Sequence, residues 1–288
     1  MIYLLLSVTA STLIFIIFKL FDSYKVQTLQ AIVFNYLFAC LFGLLNYDSS
    51  VDVVAIAASD WFLGAIGLGF LFIAIFNVMA MTAQRNGLSV ASVASKMSVV
   101  IPVIFGFYVY NESMGVQKII GILMALVAVY LTSIREKSEV NLNKGIWLPI
   151  LLFFGSGVID TSIKYIETTY LPDNGIPVFS ATVFGFAFLT GVMLLVHKAI
   201  KGQFKFEWKN LIGGLCLGIV NYYSIYYVLK ALNHETLESS SVFTINNVAI
   251  VMLSTLLGLV FFKEHISKKN WIGIALAIVS IVLISLAR

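Results

Sequence analysis

Charged residues are scarce in this 288-residue chain: Asp, Glu, Lys and Arg together make up only 11% of it. Soluble domains carry about 25% charged residues, so the chain lacks the polar surface that a water-soluble fold needs. Apolar residues make up 60% of the sequence, and the mean hydropathy is +0.98. Almost every charge lies in a short gap between apolar runs of about 20 residues, the length of a membrane-spanning helix. The sequence therefore predicts an integral membrane protein.

Cysteine and histidine are also rare, with two Cys and three His in the chain. Cys40 and Cys216 lie inside apolar runs without a second Cys or His at ligand spacing, so we expect neither disulfides nor a metal site. The absence of a P-loop pattern argues against direct use of ATP. Scattered histidines and the lack of paired carboxylates argue against an enzyme, and we expect no catalytic residues and no cofactor. The net charge of +4 comes from lysines at helix ends, so we expect no nucleic-acid partner.

The apolar residues fall into ten segments that are continuously apolar, which indicates helices and not the alternating strands of a barrel. The first segment lacks a basic region and a cleavage site, so we expect a first spanning helix and not a cleaved signal. We predict an all-α protein with ten transmembrane helices, at 1–21, 27–46, 61–83, 88–110, 116–134, 145–166, 176–198, 208–232, 237–262 and 269–287.

Basic residues are distributed unequally between the two sides of this predicted bundle. Cytoplasmic loops are enriched in Lys and Arg, so the side with more of them faces the cytoplasm. We therefore expect a multi-pass protein of the inner (plasma) membrane with both termini on the non-cytoplasmic side. Thirteen of the 18 Lys and Arg follow odd-numbered helices: Lys19, Lys25, Arg85, Arg135, Lys137, Lys144, Lys198, Lys201, Lys205, Lys209, Lys263, Lys268 and Lys269.

The chain also matches itself when shifted. A shift of 149 residues aligns the third and eighth helices, and a shift of 152 residues aligns the fourth and fifth with the ninth and tenth. We predict two five-helix repeats, 1–137 and 145–288, of which the second is inverted because five is an odd number. The 152-residue shift matches Gly106 to Gly258, Glu112 to Glu264, Ile120-Gly121-Ile122 to Ile272-Gly273-Ile274, and Ala125 to Ala277.

The repeated features resemble a known group of carriers. Each repeat has an apolar helix that ends in Asn111-Glu112 or Lys263-Glu264 and is followed by an Ile-Gly-Ile helix, and the fourth segment contains Pro102. In these features the chain resembles the drug/metabolite transporter superfamily, in particular its ten-helix EamA-like members. The resemblance covers nearly the whole chain. It implies a 5+5 carrier with a central cavity, in a group that exports amino acids and other metabolites or carries sugars, sugar phosphates and nucleotide sugars.

The expected function is secondary-active transport, as an exporter of a small polar metabolite such as an amino acid, with alternating access between two similar halves. One alternative is a carrier of sugars or phosphorylated sugars, although a dianion would favour more than one central basic residue. Another is a partner subunit of a lipid-translocating complex. The expected partners are the small-molecule substrate and the lipid bilayer. Proton coupling, exchange and a homodimer are left open.

Polar residues within the fourth and ninth segments are the candidates for substrate binding. Lys96 lies near the middle of its segment, where a lysine costs roughly 2.5 to 3.5 kcal/mol unless it meets water or a partner. It either faces a cavity, where it could hold a carboxylate or phosphate, or extends its ammonium to the interface. The predicted substrate-binding residues are Lys96, Ser92, Ser95, Asn77, Thr244, Asn247 and Tyr223.

Three other residues are candidates for coupling or gating. Asp160 and Lys164 are four residues apart and can pair on one helix face; alternatively, Asp160 pairs with Lys96 or exchanges protons. Pro102 removes the donor to the carbonyl of residue 98, so it can bend the fourth helix and act as a gate. Glu112 and Glu264 are expected to act as hydrogen-bonding or capping groups at helix ends.

Overall fold

Helices are the regular elements in the described part of the chain, which is residues 2–46, 52–109, 115–133, 143–171, 175–232 and 239–286 of a computed structural model. The helices are α1 Ile2–Ser23, α2 Thr28–Leu45, α3 Val53–Ala57, α4 Phe62–Arg85, α5 Leu88–Met97, α6 Val100–Val109, α7 Val116–Ser133, α8 Asn143–Tyr170, α9 Ile176–Ile200, α10 Trp208–Leu232, α11 Ser239–Phe262 and α12 Lys268–Leu286.

The helices coincide with the apolar segments that the sequence predicts. Each of the ten segments contains one long helix, except that α5 and α6 share the fourth. By length and composition, seven helical stretches in the described residues can each cross a membrane: Ile2–Ser23, Thr28–Leu45, Phe62–Arg85, Leu88–Gly106, Ile146–Ile166, Ile176–Ile200 and Ile245–Phe262. The fold is therefore that of an all-helical, multi-pass membrane protein. Ten crossings stay a prediction.

The chain forms two compact units. Unit 1 contains residues 1–19, 78–158 and 223–288, and unit 2 contains residues 20–77 and 159–222. Each unit therefore takes segments from both halves of the sequence. The repeat boundaries, 1–137 and 145–288, stay a prediction.

The core of unit 1 lies between α5, α7, α11 and α12, and α7 and α12 pack along their length. Ala125 of α7 and Ala277 of α12 have no exposed surface. A Cβ atom on Gly121 would lie 2.6 Å from the Ile284 side chain, and one on Gly273 would lie 2.8 Å from that of Thr132. The absence of a side chain at these two glycines therefore lets the helices approach closely.

The contacts between α7 and α12 are reciprocal. The 152-residue shift turns the pair Gly121 with Ile284 into the pair Gly273 with Thr132. Position 121 on α7 lies near position 284 on α12, whereas position 132 lies near 273, so the two helices are antiparallel. The fifth and tenth predicted segments thus run in opposite directions, as an inverted repeat requires.

Unit 2 is built around α2 and α9, which are also antiparallel. A Cβ atom on Gly43 would lie 3.2 Å from Ala181, and one on Gly191 would overlap the side chain of Val33. Tyr36 of α2 is fully buried between α9 and α4. Its hydroxyl donates to the Phe72 carbonyl of α4 at 2.9 Å. A buried tyrosine hydroxyl needs such an acceptor. The second and seventh segments, which hold equivalent places in the order of the two predicted repeats, therefore also run antiparallel.

Gly214 and Gly218 are four residues apart on α10, the spacing of a small-residue helix-packing motif, and both contact α2. A Cβ atom on Gly214 would overlap Cβ of Phe34 and lie 2.7 Å from the Ala31 carbonyl oxygen. The equivalent atom on Gly218 would lie 2.8 Å from Cβ of Phe38. Two of these three neighbours are side-chain atoms next to the backbone and one is backbone, so relief requires the helices to separate.

We predict that Gly214→Ala lowers the free energy of unfolding by about 1 to 3 kcal/mol, as overpacking does. The matched control is Gly67→Ala, because a Cβ atom at Gly67 meets nothing within 4 Å. There the helix propensity of alanine leaves stability unchanged or raises it by up to ~1 kcal/mol. Denaturant unfolding of the purified protein in detergent measures both. Equal effects of the two substitutions would contradict the close approach of α10 and α2.

Candidate functional site

An interruption in the fourth predicted segment is the central feature of the candidate site. Helix α5 ends at Met97 and α6 begins at Val100. The Pro102 nitrogen carries no hydrogen, so the Ser98 carbonyl cannot accept from it in the normal helical pattern. That carbonyl accepts instead from the Ile101 amide at 2.9 Å. The structure thus has a break where the sequence predicts that Pro102 perturbs the helix, whereas gating by Pro102 stays a prediction.

Lys96 lies one residue before the end of α5, in its last turn, and its side chain is half-buried. The last carbonyl groups of a helix carry partial negative charge, which favours a cation by about 0.3 to 1 kcal/mol. The break therefore offsets part of the cost of a lysine at this depth. Ser95 lies in the same turn, and its carbonyl accepts from the Ser98 hydroxyl at 2.5 Å.

Ser92 connects α5 to α11. Its hydroxyl accepts from Ser254 at 2.7 Å and donates to the Ser89 carbonyl at 3.0 Å. Ser92 and Ser254 are both fully buried. Sequence reasoning selected Ser92 but missed Ser254. The 152-residue shift matches Ser254 to Pro102, which has no hydroxyl, so the repeat gave no sign of a polar pair there. The two helices are antiparallel here, because Gly258 of α11 lies beside Leu88.

The antiparallel register brings Asn247 close in depth to the interruption. Asn247 and Val99 are each seven residues from the Ser92–Ser254 contact, which is ~10 Å along either helix at 1.5 Å per residue. The Asn247 side chain is half-buried, whereas that of Asn246 is buried and accepts from the Ser7 hydroxyl at 3.1 Å. Thr244 lies on α11, but its side chain is outside the described residues. Asn246 thus makes the contact with α1 that sequence reasoning missed.

Tyr223 belongs to a cluster of four tyrosines in unit 1, of which three lie on α10 and one on α1. Its ring stacks on that of Tyr227, with 5.4 Å between centroids, and Tyr227 stacks on Tyr3 at 6.4 Å. The Lys230 ammonium lies 4.8 Å from the centroid of the Tyr226 ring, within the range of a cation–π contact. The cluster places four aromatic rings and a cation together, while substrate binding by Tyr223 stays a prediction.

Three predicted residues belong to unit 2. Asn77 is half-buried, and its side-chain amide donates to the Ile73 carbonyl of the same helix at 2.7 Å. Asp160 and Lys164 lie one turn apart on α8, and both side chains are exposed. Binding by Asn77 and coupling by Asp160 and Lys164 stay predictions.

Comparison with known proteins identifies a family of transporters. Residues 143–286, half of the chain, match the profile of the EamA-like transporter family. An uncharacterized protein of Haemophilus influenzae is 28% identical over 289 aligned positions, which cover 96% of this chain and 95% of the relative. A crystal structure of a protein with 16% identity superposes with a TM-score of 0.57, covering 98% of this chain and 96% of the other. That superposition supports the fold alone.

We predict that Ser92→Ala and Ser254→Ala are coupled. A buried hydrogen bond between hydroxyls contributes about 1 kcal/mol, so the double variant should lose that much less stability than the sum of the single variants. Unfolding of the three variants and the parent measures the difference. As control, Ser92→Ala should combine additively with Ser280→Ala, since Ser280 is buried and donates to the Gly121 carbonyl. Additivity in both pairs would contradict the Ser92–Ser254 contact.

Proposed function

This chain belongs to the EamA-like transporter family, and we propose that it is a secondary-active exporter of a small zwitterionic metabolite such as an amino acid. The observation that carries the proposal is the break between α5 and α6, with Lys96 in the turn before it. Discontinuous helices form the substrate sites of many secondary transporters, near the middle of the bilayer.

The break and Lys96 together supply the two signs of charge that a zwitterion needs. The end of α5 presents partially negative carbonyl groups. The first N–H groups of α6 are used across the turn, because Ile101 donates to the Ser98 carbonyl and Val103 to the Val99 carbonyl, so the positive charge comes from Lys96. Irregular backbone at membrane depth is tolerated only where it is buried in protein or lines a water-filled cavity. Lys96 adds a compact cation that can hold a carboxylate as a point charge. A carboxylate would therefore bind at the Lys96 ammonium, and an ammonium group at the carbonyl groups that end α5.

The neighbouring polar groups would complete this site. Ser95 lies on α5 next to Lys96, and Asn247 lies at about the depth of the break. Ser92 lies one turn before Lys96. It would join the site if its buried contacts with Ser89 and Ser254 were exchanged for the substrate. Hydroxyl and amide groups donate and accept, so they can pair with either end of a zwitterion. Lys96 is the single basic residue in the middle of a predicted segment, which favours a monoanion or zwitterion over a phosphorylated sugar.

The antiparallel packing of matched helices supports alternating access. Helices α7 and α12 are one such pair, and α2 and α9 are another. Two similar but inverted halves can exchange conformations, so that a cavity between them opens to one side and then to the other. We place the protein in the inner membrane with both termini on the non-cytoplasmic side, because thirteen of 18 basic residues follow odd-numbered segments.

We predict that an amino acid or related zwitterion stabilises the purified protein against thermal unfolding. A ligand at about 100 times its Kd stabilises the folded state by ~2.7 kcal/mol. Amino acids, sugars, sugar phosphates and nucleotides form the panel. Lys96→Ala should lose this stabilisation, and Lys96→Arg, which keeps the charge, should retain part of it. Lys209→Ala is the control, since Lys209 is exposed and pairs with Glu207 at 2.7 Å.

The outcome of this panel separates the candidate substrates. Stabilisation by a zwitterion in the parent and in Lys209→Ala, but not in Lys96→Ala, supports the proposed site. Stabilisation that survives Lys96→Ala removes Lys96 from the site and favours extension of its ammonium to the interface. A response to sugar phosphates alone would replace the zwitterion by a dianion. If no compound of the panel stabilised the protein, a lipid-like substrate or a role that depends on a partner protein would replace the proposed function.

A further inference from the structure

Glu264 lies directly after α11, where the backbone turns back on the helix. Lys263 has a φ of +49°, in the left-handed region that ends many helices. The Glu264 amide then donates to the Gly258 carbonyl at 3.0 Å. Both carboxylate oxygens accept from the Leu88 amide, at 2.9 and 3.1 Å. Glu264 thus caps the start of α5 from the end of α11, where a negative group is favoured.

Two glycines make room for this carboxylate. A Cβ atom on Gly258 would lie 2.7 Å from Oε2 of Glu264, and one on Gly87 would lie 2.9 Å from it. Gly87 has a φ of +107°, a backbone conformation that residues with a side chain rarely adopt. The chain therefore provides a fitted position for the Glu264 carboxylate between α5 and α11.

Lys19 joins two further helices to the same carboxylate. Its ammonium lies 3.5 Å from Oε1 of Glu264 and also donates to the carbonyls of Ala83 and Gln84, at 3.3 and 3.2 Å. These carbonyls belong to the last turn of α4, which a cation stabilises. In return, the Gln84 side chain donates to the Phe18 carbonyl of α1 at 2.9 Å. One ion pair therefore connects α1, α4, α5 and α11.

We propose that Glu264 is a positioning residue for transport, and that its ion pair with Lys19 is a lock that opens and closes in each cycle. The proposal rests on the proposed transport function, because α5 carries Ser92 and Lys96. Lys96 is eight residues from Leu88, ~12 Å along one helix at 1.5 Å per residue, so the position of Leu88 sets that of Lys96.

The lock can open because its groups remain in partial contact with solvent. The side chain of Lys19 is 21% exposed and that of Glu264 is 12% exposed. Water can therefore solvate both charges when they separate, whereas a fully buried pair would lose its only partners. Glu264 has two separable functions: its carboxylate accepts from the Leu88 amide, which requires an acceptor, and it pairs with Lys19, which requires a negative charge.

A labelling experiment tests the lock without any substrate. Ser89→Cys places a thiol next to Leu88, at a side chain that is 5% exposed and whose hydroxyl has no hydrogen-bond partner among the described residues. Cys216→Ser removes the exposed native thiol, and the half-buried Cys40 of unit 2 remains as an internal control. The rate of maleimide labelling of the purified protein then reports opening at the start of α5.

We predict that Glu264→Gln and Lys19→Gln each raise the labelling rate of the thiol introduced at position 89 at least tenfold and leave that of Cys40 unchanged. Glu264→Asp should label more slowly than Glu264→Gln, because it keeps the charge. Lys209→Gln is the control for loss of a lysine elsewhere. An unchanged labelling rate at the introduced thiol would overturn the lock. An equal rise at that thiol and at Cys40 would also overturn it, because it indicates that the whole protein has become less stable.

Transport in proteoliposomes then separates positioning from binding. With a substrate identified by thermal stabilisation, Glu264→Gln should lower kcat about tenfold and change KM by less than threefold. The exchanged pair Lys19→Glu with Glu264→Lys should not restore kcat, because a lysine cannot accept from the Leu88 amide. Restoration, or an effect on KM alone, would overturn the positioning role. If the parent protein bound none of the ligands, the proposed function would be contradicted. The labelling rates would still show whether the Lys19–Glu264 ion pair acts as a lock.

Discussion

Close approach of helix backbones is the constraint on which this structure depends. Lipid tails are as apolar as the helix surfaces, so the hydrophobic effect gives little reason for helices to associate within a bilayer. Van der Waals contact must replace it, and that contact is strongest where small residues let two backbones approach. Gly121 and Gly273 do this in unit 1, and Gly214 and Gly218 do it in unit 2. The contacts of Gly121 and Gly273 show α7 and α12 to be antiparallel, whereas those of Gly214 and Gly218 show α10 and α2 to be parallel.

Polar side chains add specificity to this packing, because a buried polar group without a partner is costly in an apolar medium. The Ser92–Ser254 contact fixes the register of α5 against α11, and the Ser7–Asn246 contact connects α1 with α11. At the break after Met97 the chain forgoes a regular helical hydrogen bond. Irregular backbone at membrane depth is tolerated only where it is buried in protein or lines a water-filled cavity, and here Lys96 lies beside it.

The sequence predicted the helices well, since a run of about 20 apolar residues has few alternatives in a membrane. It also indicated the break at Pro102, which follows from local chemistry. It indicated a hydrogen-bonding or capping role for Glu264, but not that Glu264 caps α5, a contact between distant parts of the sequence. Glu112, for which the same role was predicted, lies outside the described residues. The sequence missed α3, Val53–Ala57, a single short turn capped by Asp52. It also could not distinguish Asn246 from Asn247: neighbours on a helix point about 100° apart, and only the tertiary packing decides which one meets α1. Partners such as Ser254 follow from the register of two helices, which a single sequence does not give.

The reciprocal contacts of α7 and α12 have the form of an interface in a symmetric dimer, where residue i meets residue j and j meets i. Here the surfaces of α7 and α12 belong to one polypeptide, so the sequence of one helix can change while that of the other stays the same. Thr132 and Ile284 occupy matching places but differ in polarity. The side chains of Gln117 and Asn270 donate to the matching carbonyls of Leu283 and Leu131. Gln117 and Asn270 themselves are not matched to each other, because the 152-residue shift takes Gln117 to position 269. A dimer of identical subunits could not vary one side alone. A single chain can therefore keep the reciprocal packing of α7 and α12 while the two ends of that packing differ in polarity and hydrogen bonding, so a substitution in one helix alters only one of the two contacts.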